Sequence, residues 1–395
     1  MMISKSKGAS GSRASKEIAQ TRGISVEILC ESGQEIGLGH LYRCIKLARI
    51  LAQIPEVAHI ALHNRGDFTP EFGRIVPSDL GARIHFFTHE WFCEDTLSSV
   101  LREKKPKESV LAIVDSYMAT REVYAHIKRQ ASALICLDDT LRDVYPPQSY
   151  ILNPTPEAST YFAPKPYHLW CGEEFAIVPQ YAQIKPQISH ASIPLTKHIF
   201  VNFGGVDSGD LTQAFLQGLR DCLGARVGSV HFHIVLGGGY AHTLCPSLVA
   251  ELSEAITIYR DLSPDAFLSL AQACDCAISA GGGSMLELLT LQIPSIILES
   301  APNQRAQIAH FADKGAIIKA LSPKDALYQL AKEFGIDFLS ICSNAKVAGA
   351  KVDSKRLQEL KTALAGLRLG SALPQALRHL AQLLHTTSHA PTKPK

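Results

Sequence analysis

Short apolar segments alternate with amphipathic segments of helical length along most of this chain. Apolar runs of about four to eight residues are typical of strands buried on both faces of a parallel sheet. In the first half, strands are predicted from Ile28 and at Val57–Leu62, Ile84–Phe87, Val110–Val114 and Ala133–Leu137. Helices are predicted at Trp91–Lys104 and Arg121–Gln130. This alternation predicts an α/β fold with a doubly wound parallel sheet.

A second series of the same kind follows in the other half of the chain. Its strands are predicted at His198–Phe203, Val230–Leu236, Ile256–Tyr259, Cys276–Ser279, Ser295–Leu298 and Ala316–Ile318. A chain of 395 residues is long for a single core, so two domains are expected. Two open sheets joined by a linker form a cleft between them.

The boundaries of these domains are predicted from changes in composition. Residues 180–198 lose periodicity and contain Pro186 and Pro194, which is typical of a linker. The segment Ile151–Pro156 is predicted to be a loop, because its prolines disfavour a helix. The predicted order is a disordered leader (1–23), an N-terminal domain (24–185), a linker (186–197), a C-terminal domain (198–350), and C-terminal helices with a polar tail (351–395).

The stretch Ile28–Leu51 combines a strand, a loop with two glycines, and a helix. In an open α/β sheet this turn lies at the carboxyl end of the strand, where ligands bind. His40 is therefore expected at a helix N-terminus that faces the cleft. The partial positive charge there disfavours an imidazolium, and a neutral imidazole suits a general base. The alternative is that His40 only caps the helix.

Polar residues follow two further predicted strands of the first half. Asp115, Ser116 and Tyr117 come after one of them, and Asp138 with Asp139 after the next. Their position at strand ends makes them candidates for the site. Acidic residues at such positions also serve as helix caps or ion-pair partners, and that alternative stays open for each of them.

Two glycine-rich turns mark the second half. Asn202–Thr212 reads as a strand, a glycine pair and a helix that begins near Ser208 or Asp210. Ile278–Gln304 contains three consecutive glycines, a serine and a helix that carries Glu287. Backbone N–H groups at such a helix start favour a diphosphate, and Glu287 could accept hydrogen bonds from a ribose diol. The alternative is a close-packed βα turn, and neither stretch has the P-loop pattern.

Composition argues against several other functions. The net charge of +2 gives no electrostatic reason to expect a nucleic-acid or membrane partner. The ten cysteines include no CxxC pair, which favours buried thiols in a reducing cytoplasm over a disulfide framework or a zinc site. His231 and His233 alternate within a predicted strand and are expected to be surface or structural residues. No metal and no cofactor are predicted.

The motifs EIGLGHLYRC, VDSY, LDD, ILNP, NFGGVDSGDLT and ISAGGGSMLELLTLQIPSIILESAPNQ, in this order, resemble the UDP-sugar hydrolases of pseudaminic acid biosynthesis, the PseG family. The resemblance covers roughly residues 24–315, and the last motif is shared with MurG-like glycosyltransferases. It implies a GT-B architecture with two Rossmann-like domains. The implied reaction cleaves UDP-2,4-diacetamido-2,4,6-trideoxy-β-L-altropyranose with water to give UDP and the free sugar.

The resemblance also implies roles for individual residues. His40 corresponds to the family's catalytic base, and the sugar side would be lined by Gly37, Gly39, Arg43 and Tyr117. The nucleotide side would be formed by Gly204, Gly205, Asp207, Gly282, Gly283, Ser284, Glu287, Asn303 and Gln304. The chain departs from the family where Leu29, Cys30 and Glu31 replace an Arg-x-Asp triplet, and where Gly283 and Ser284 replace Ser-Thr.

Two alternatives to the hydrolase remain at this stage. One is a GT-B glycosyltransferase of the MurG type, which would transfer the sugar to an acceptor. The other is a nucleotide-sugar-binding protein without catalysis. In each case the expected partner is a small-molecule UDP-sugar, and the protein is expected to be a cytoplasmic monomer.

Overall fold

The structure is a computed structural model. It describes residues 23–33, 36–66, 83–102, 109–179, 197–223, 230–260, 262–335 and 354–388. The predicted leader, apart from Gly23, and all of the predicted linker except Lys197 lie outside these residues. Lys197 itself is the first residue of a strand.

The first half of the chain forms a sheet of seven parallel strands in the order β3-β2-β1-β4-β5-β6-β7. Its strands are β1 (Ile24–Glu31), β2 (Val57–Arg65), β3 (Ile84–Thr88), β4 (Val110–Asp115), β5 (Ala133–Leu137), β6 (Tyr150–Asn153) and β7 (His168–Cys171). The helices that connect them are α1 (Gly39–Leu51), α2 (Glu94–Arg102), α3 (Arg121–Gln130) and α4 (Pro156–Phe162). Apolar clusters cover both faces, so the sheet is doubly wound as predicted.

The second half forms a sheet of six parallel strands in the order β10-β9-β8-β11-β12-β13. Its strands are β8 (Lys197–Asn202), β9 (Val230–Leu236), β10 (Ile256–Arg260), β11 (Cys276–Ala280), β12 (Ser295–Leu298) and β13 (Ile318–Ala320). Its helices are α5 (Leu211–Leu223), α6 (Pro246–Glu251), α7 (Pro264–Gln272), α8 (Gly283–Thr290), α9 (Arg305–Asp313) and α10 (Pro323–Phe334). In both sheets the strand order reverses beside the first strand of the domain, and ligands bind at this kind of switch point.

One predicted loop is wrong. Tyr150–Asn153 is a strand that pairs with β5 and β7, and Pro156 is the first residue of α4. Proline is tolerated at the first helical position because the N–H it lacks would have no partner in the helix. The last predicted strand is also displaced, since Ala316 and Ile317 are buried ahead of β13.

Two C-terminal helices pack on different domains. Helix α11 (Ser354–Ala365) buries Leu360 and Leu364 in the core of the second domain. Helix α12 (Leu373–Ser388) returns to the first domain and packs beside α1 and β1. Its buried residues are Leu373, Leu377, Leu380, Ala381 and Leu384. The chain therefore crosses between the domains a second time.

Glu173 joins the two domains at this crossing. Its carboxylate accepts hydrogen bonds from Lys314 Nζ at 2.6 Å and from the Arg368 backbone N–H at 3.2 Å, and it lies 3.1 Å from His310 Nε2. Burial alone would raise the pKa of Glu173, but Lys314 and His310 outweigh burial and lower it. Its stabilising contribution is therefore present above the unfolded pKa of about 4.3 and is lost as the pH falls.

We expect Glu173→Gln to lower the free energy of unfolding by about 1–3 kcal/mol at pH 7, because charged hydrogen bonds across the domains are weakened. The difference from wild type should shrink below about pH 4. Urea unfolding at pH 7 and at pH 3 measures both effects. Glu174→Gln is the matched control, since its carboxylate makes no hydrogen bond to any residue that the structure describes. Equal losses in the two variants would contradict this account of Glu173.

Candidate active site

His40 and Asp115 meet at the switch point of the first sheet. Helix α1 begins one residue before His40, and Asp115 is the last residue of β4. Strands β1 and β4 are neighbours, with Cys30 opposite Asp115. The turn after β1 therefore brings the imidazole over the end of β4, and both side chains are buried. His40 lies at the predicted helix N-terminus, but no side-chain cap is present at the start of α1.

Asp115 holds two basic side chains at once. Its Oδ1 lies 2.6 Å from His40 Nδ1, and its two oxygens accept hydrogen bonds from Arg43 Nε and Nη2, both at 2.7 Å. Arg43 also reaches Asp139 Oδ2 at 3.1 Å. A bidentate guanidinium–carboxylate pair has a defined geometry, so Arg43 fixes the orientation of the carboxylate that in turn orients His40.

The charge of Asp115 determines the tautomer of His40. Burial would raise the pKa of Asp115, but Arg43 and His40 outweigh burial and hold it well below its usual range. An ionised carboxylate only accepts hydrogen bonds, so Nδ1 of His40 carries the proton. Nε2 then has the lone pair, and it makes no hydrogen bond to any described residue. In a catalytic triad an aspartate orients the histidine in the same way, and here that aspartate would be Asp115.

Tyr117 connects His40 to the second domain. Its ring packs edge-on against the His40 ring, with centroids 4.2 Å apart. Its hydroxyl donates to Asp139 Oδ2 at 3.0 Å and accepts from Asn303 Nδ2 at 2.8 Å. Burial, and then Asp139, raise the pKa of Tyr117, so the phenol stays protonated at neutral pH. Residues of the two predicted subsites therefore touch across the cleft.

Glu31 explains how the loop after β4 is held. It is fully buried and accepts hydrogen bonds from Ser116 Oγ at 2.9 Å and from the backbone N–H groups of Tyr117 and Met118. These bonds fix the loop that carries Tyr117. Glu31, which stands where the family has the Asp of its Arg-x-Asp triplet, therefore positions Tyr117 and does not line the cavity.

A cavity of about 860 Å³ lies between the domains. From the first domain it is lined by the predicted residues Gly39, His40, Arg43 and Tyr117. From the second domain it is lined by Gly204, Gly205, Gly282, Gly283, Ser284, Glu287, Asn303 and Gln304. Helix α8 begins at Gly283 without a side-chain cap, so its first N–H groups are available to an anion in the cavity.

Two predicted binding residues, Gly37 and Asp207, lie outside the lining of the cavity. Gly37 lies outside the cavity lining, and its positive φ of 83° allows the turn before α1. Asp207 is also outside the lining, and its carboxylate accepts hydrogen bonds from Leu211 N and Thr212 N at 2.9 Å. The Asp207 carboxylate therefore caps the start of α5, and its contact with the nucleotide stays a prediction.

The strand-end residues divide between the two alternatives. Asp138 accepts hydrogen bonds from the backbone N–H groups of the turn after β5, which is structural. Asp139 lines the cavity, and its Oδ1 is buried without a hydrogen-bond partner among the described residues.

The sequence placed Asp115 at a strand end but did not pair it with His40. The adjacency of β1 and β4 in a doubly wound sheet is the signal that could have done so.

Lys46 is a cavity residue that the sequence did not indicate. It lies on α1 three residues after Arg43, and its ammonium forms an ion pair with Glu287 of the second domain at 2.7 Å. A spacing of three residues on a helix places side chains on the same face. The spacing of Arg43 and Lys46 is therefore the sequence signal that could have predicted a basic face on α1.

Comparison with known proteins identifies the fold. No protein-family model matches the chain. Among solved structures, MnaA of S. aureus with UDP is similar with a TM-score of 0.59 at 12% identity, covering 94% of this chain and 100% of that one. UGT2 of Phytolacca americana, solved with UDP-2fluoro-glucose and pterostilbene, has a TM-score of 0.59 at 9% identity, covering 93% and 100%. The chain has the GT-B fold.

Two curated proteins are similar in sequence. One is the pseudaminic acid cytidylyltransferase and UDP-2,4-diacetamido-2,4,6-trideoxy-β-L-altropyranose hydrolase of Helicobacter pylori, 26% identical over 315 residues and 79% of this chain. The other is an uncharacterized protein of Methanocaldococcus jannaschii, 23% identical over 298 residues and 71% of this chain. The match spans 50% and 57% of these two relatives' own lengths. The resemblance to the pseudaminic acid enzymes is confirmed.

Within the described residues, no cluster of three or more His, Cys, Asp or Glu side chains could hold a metal ion. His231 and His233 lie on β9, with His231 2.8 Å from Thr257 Oγ1 and His233 3.0 Å from the Tyr259 hydroxyl. None of the described helices has the length and apolar character needed to cross a bilayer.

Proposed function

We propose that this protein hydrolyses UDP-2,4-diacetamido-2,4,6-trideoxy-β-L-altropyranose to UDP and the free 2,4-diacetamido sugar. The observation that carries the proposal is the Nε2 atom of His40, which Asp115 orients inside a cavity that also contains the start of α8. One wall thus offers a base, and the other offers a site for a diphosphate. The name of the Helicobacter pylori relative supports the choice of sugar.

The reaction follows from the chemistry of the leaving group. UDP leaves readily, so protonation of the glycosidic oxygen matters less than it does in glycoside hydrolysis. His40 Nε2 takes a proton from water as the water attacks the anomeric carbon from the face opposite UDP. The C–O bond breaks, its electron pair goes to the diphosphate, and the sugar is released with inversion. Positioning across the cleft supplies much of the remaining acceleration.

The second domain would bind the nucleotide. Gly282, Gly283 and Ser284 would place the first N–H groups of α8 on the diphosphate, and Glu287 would accept hydrogen bonds from the ribose. Gly204 and Gly205 would allow close approach at the other turn, where Asn202 Oδ1 accepts from Gly204 N. Asn303 and Gln304 would lie near the phosphate and the sugar, beside Gly39, Arg43 and Tyr117 of the first domain.

The organisation of the protein is part of the same proposal. The domains would divide at residues 24–185 and 198–350, and the enzyme would act as a cytoplasmic monomer on a small molecule, without nucleic acid or membrane partners. Light scattering after size-exclusion chromatography tests the monomer, and a dimeric mass would contradict it.

The decisive experiment uses water labelled with oxygen-18. The purified protein is incubated with UDP-2,4-diacetamido-2,4,6-trideoxy-β-L-altropyranose, and both products are analysed by NMR and mass spectrometry. We expect label in the free sugar and none in UDP, because water attacks carbon. Label in UDP would mean attack at phosphorus, and absence of turnover would favour a different sugar or a glycosyltransferase.

A further inference from the structure

Lys46 carries a positive charge from the first domain to the mouth of the nucleotide subsite. It is on α1, and its Nζ lies 2.7 Å from Oε1 of Glu287 on α8. Only 17% of the Lys46 side chain and 11% of the Glu287 side chain are exposed, so solvent screens this pair less than a surface pair. Glu287 is also the residue proposed to bind the ribose.

The ammonium also stands close to the start of α8. A Cβ placed on Gly283, the first residue of that helix, would lie 3.7 Å from Lys46 Nζ. A helix N-terminus carries a partial positive charge, so a lysine beside it is unfavourable unless an anion is nearby. Glu287 supplies one negative charge in this structure. A diphosphate at the same point would supply more.

We propose that Lys46 moves from Glu287 to the diphosphate when a UDP-sugar binds. This rests on the proposed function and adds a residue to it. Glu287 is then released to the ribose diol, and the diphosphate lies between the N-terminus of α8 and a cation from the opposite domain.

This exchange gives Lys46 a role in the bond-breaking step. When the C–O bond breaks, the leaving UDP gains one negative charge while His40 gains the proton of the attacking water. Lys46 keeps its proton and stabilises the new charge as an ion pair, together with the N–H groups of α8. Because Lys46 belongs to the first domain, stabilisation of the leaving group requires both walls of the cleft.

The test compares ligands with and without phosphates. Isothermal titration of Lys46→Met with UDP should show a roughly ten- to hundredfold weaker affinity than wild type, because one charged contact is lost. Uridine should bind as well as before or better, because Glu287 no longer has a competing partner. Lys46→Arg should retain UDP affinity within about threefold of wild type, since the charge remains.

Lys197→Met is the matched control, because Lys197 also forms a lysine–carboxylate ion pair but lies outside the lining of the cavity. Its Nζ lies 3.0 Å from Oδ1 of Asp275, both side chains are exposed, and exposed pairs contribute little, so UDP affinity should change by less than about threefold. The double variant Lys46→Glu with Glu287→Lys exchanges the two charges and so separates binding from folding. This exchanged pair should have a melting temperature close to that of wild type, but it should not recover the wild-type affinity for UDP.

Three results would overturn the proposal: equal losses of uridine and UDP affinity in Lys46→Met, unchanged UDP affinity in that variant, or recovery of UDP affinity in the exchanged pair. Wild-type protein that bound neither UDP nor uridine would instead refute the nucleotide site itself. That outcome is distinguishable, because it does not depend on any variant.

Discussion

His40→Gln is expected to lower kcat by roughly a hundredfold to ten-thousandfold, the usual contribution of a general base. Glutamine can still donate a hydrogen bond to Asp115 from its side-chain amide, so the buried carboxylate keeps a partner. It cannot accept a proton from the attacking water. Steady-state kinetics with the diacetamido UDP-sugar measure the loss, and UDP affinity should stay within about threefold of wild type because the residues proposed to bind the nucleotide lie mainly on the other domain.

The matched control is His85→Gln. His85 is exposed on β3 and stacks on His59, outside the lining of the cavity. Its kcat should equal that of wild type. Full activity in His40→Gln would eliminate His40 as the base, while loss of UDP binding in that variant would show that the nucleotide subsite had been disturbed.

Asp115→Asn is expected to lower kcat by about a thousandfold to ten-thousandfold, which is comparable with the effect of replacing the orienting aspartate in serine proteases. The amide nitrogen of asparagine would donate to His40 Nδ1, while the amide oxygen would accept from Arg43. Nδ1 would then hold the lone pair, and Nε2 would carry the proton. A base with a protonated Nε2 cannot accept a proton from water.

Asp115→Asn should also change the response of stability to pH. The folded-state pKa of Asp115 is lowered, so its contribution is fully present above the unfolded pKa of about 3.9 and is lost as the pH falls. We expect the variant to be less stable than wild type at pH 7 by about 1–3 kcal/mol, and this gap to narrow below about pH 4. Urea unfolding at pH 7 and below pH 4, monitored by circular dichroism, measures the difference in the free energy of unfolding between the variant and wild type.

Asp138→Asn provides the control for both effects of Asp115→Asn. Asp138 is also a buried aspartate at a strand end, but its carboxylate accepts hydrogen bonds from the turn after β5 and does not line the cavity. Its variant should lose stability and keep kcat within a few-fold of wild type. A similar loss of kcat in both variants would mean that a general change of folding, and not the tautomer of His40, accounts for the result.

Most of the secondary structure could be predicted from local pattern. The bounds of Ala133–Leu137, Val230–Leu236 and Ser295–Leu298 are confirmed because buried parallel strands are continuous apolar runs with polar boundaries. The short polar-edged strands Tyr150–Asn153 and His168–Cys171 lack such a run, and the first of these was assigned to a loop. Their pairing with β5 and with each other stabilises them as strands.

The site was predicted less completely, because proximity in it depends on strand order and on the approach of two domains. His40 was placed correctly at a helix start, since a strand, a glycine turn and a helix are local features. The binding role given to Asp207 stays a prediction, and the structure shows its carboxylate accepting hydrogen bonds from the first N–H groups of α5. Nothing local distinguishes Asp207 from an aspartate that faces a ligand.

The sequence by itself determined two α/β domains and the position of His40, because hydrophobic periodicity and glycine turns act over a few residues. Only the tertiary structure decided that Asp115 orients His40, since this requires β4 to lie beside β1. It also decided that Lys46 meets Glu287, two residues that are far apart in the chain and on different domains. Such contacts follow from how whole sheets and helices pack, and no local pattern of residues encodes them.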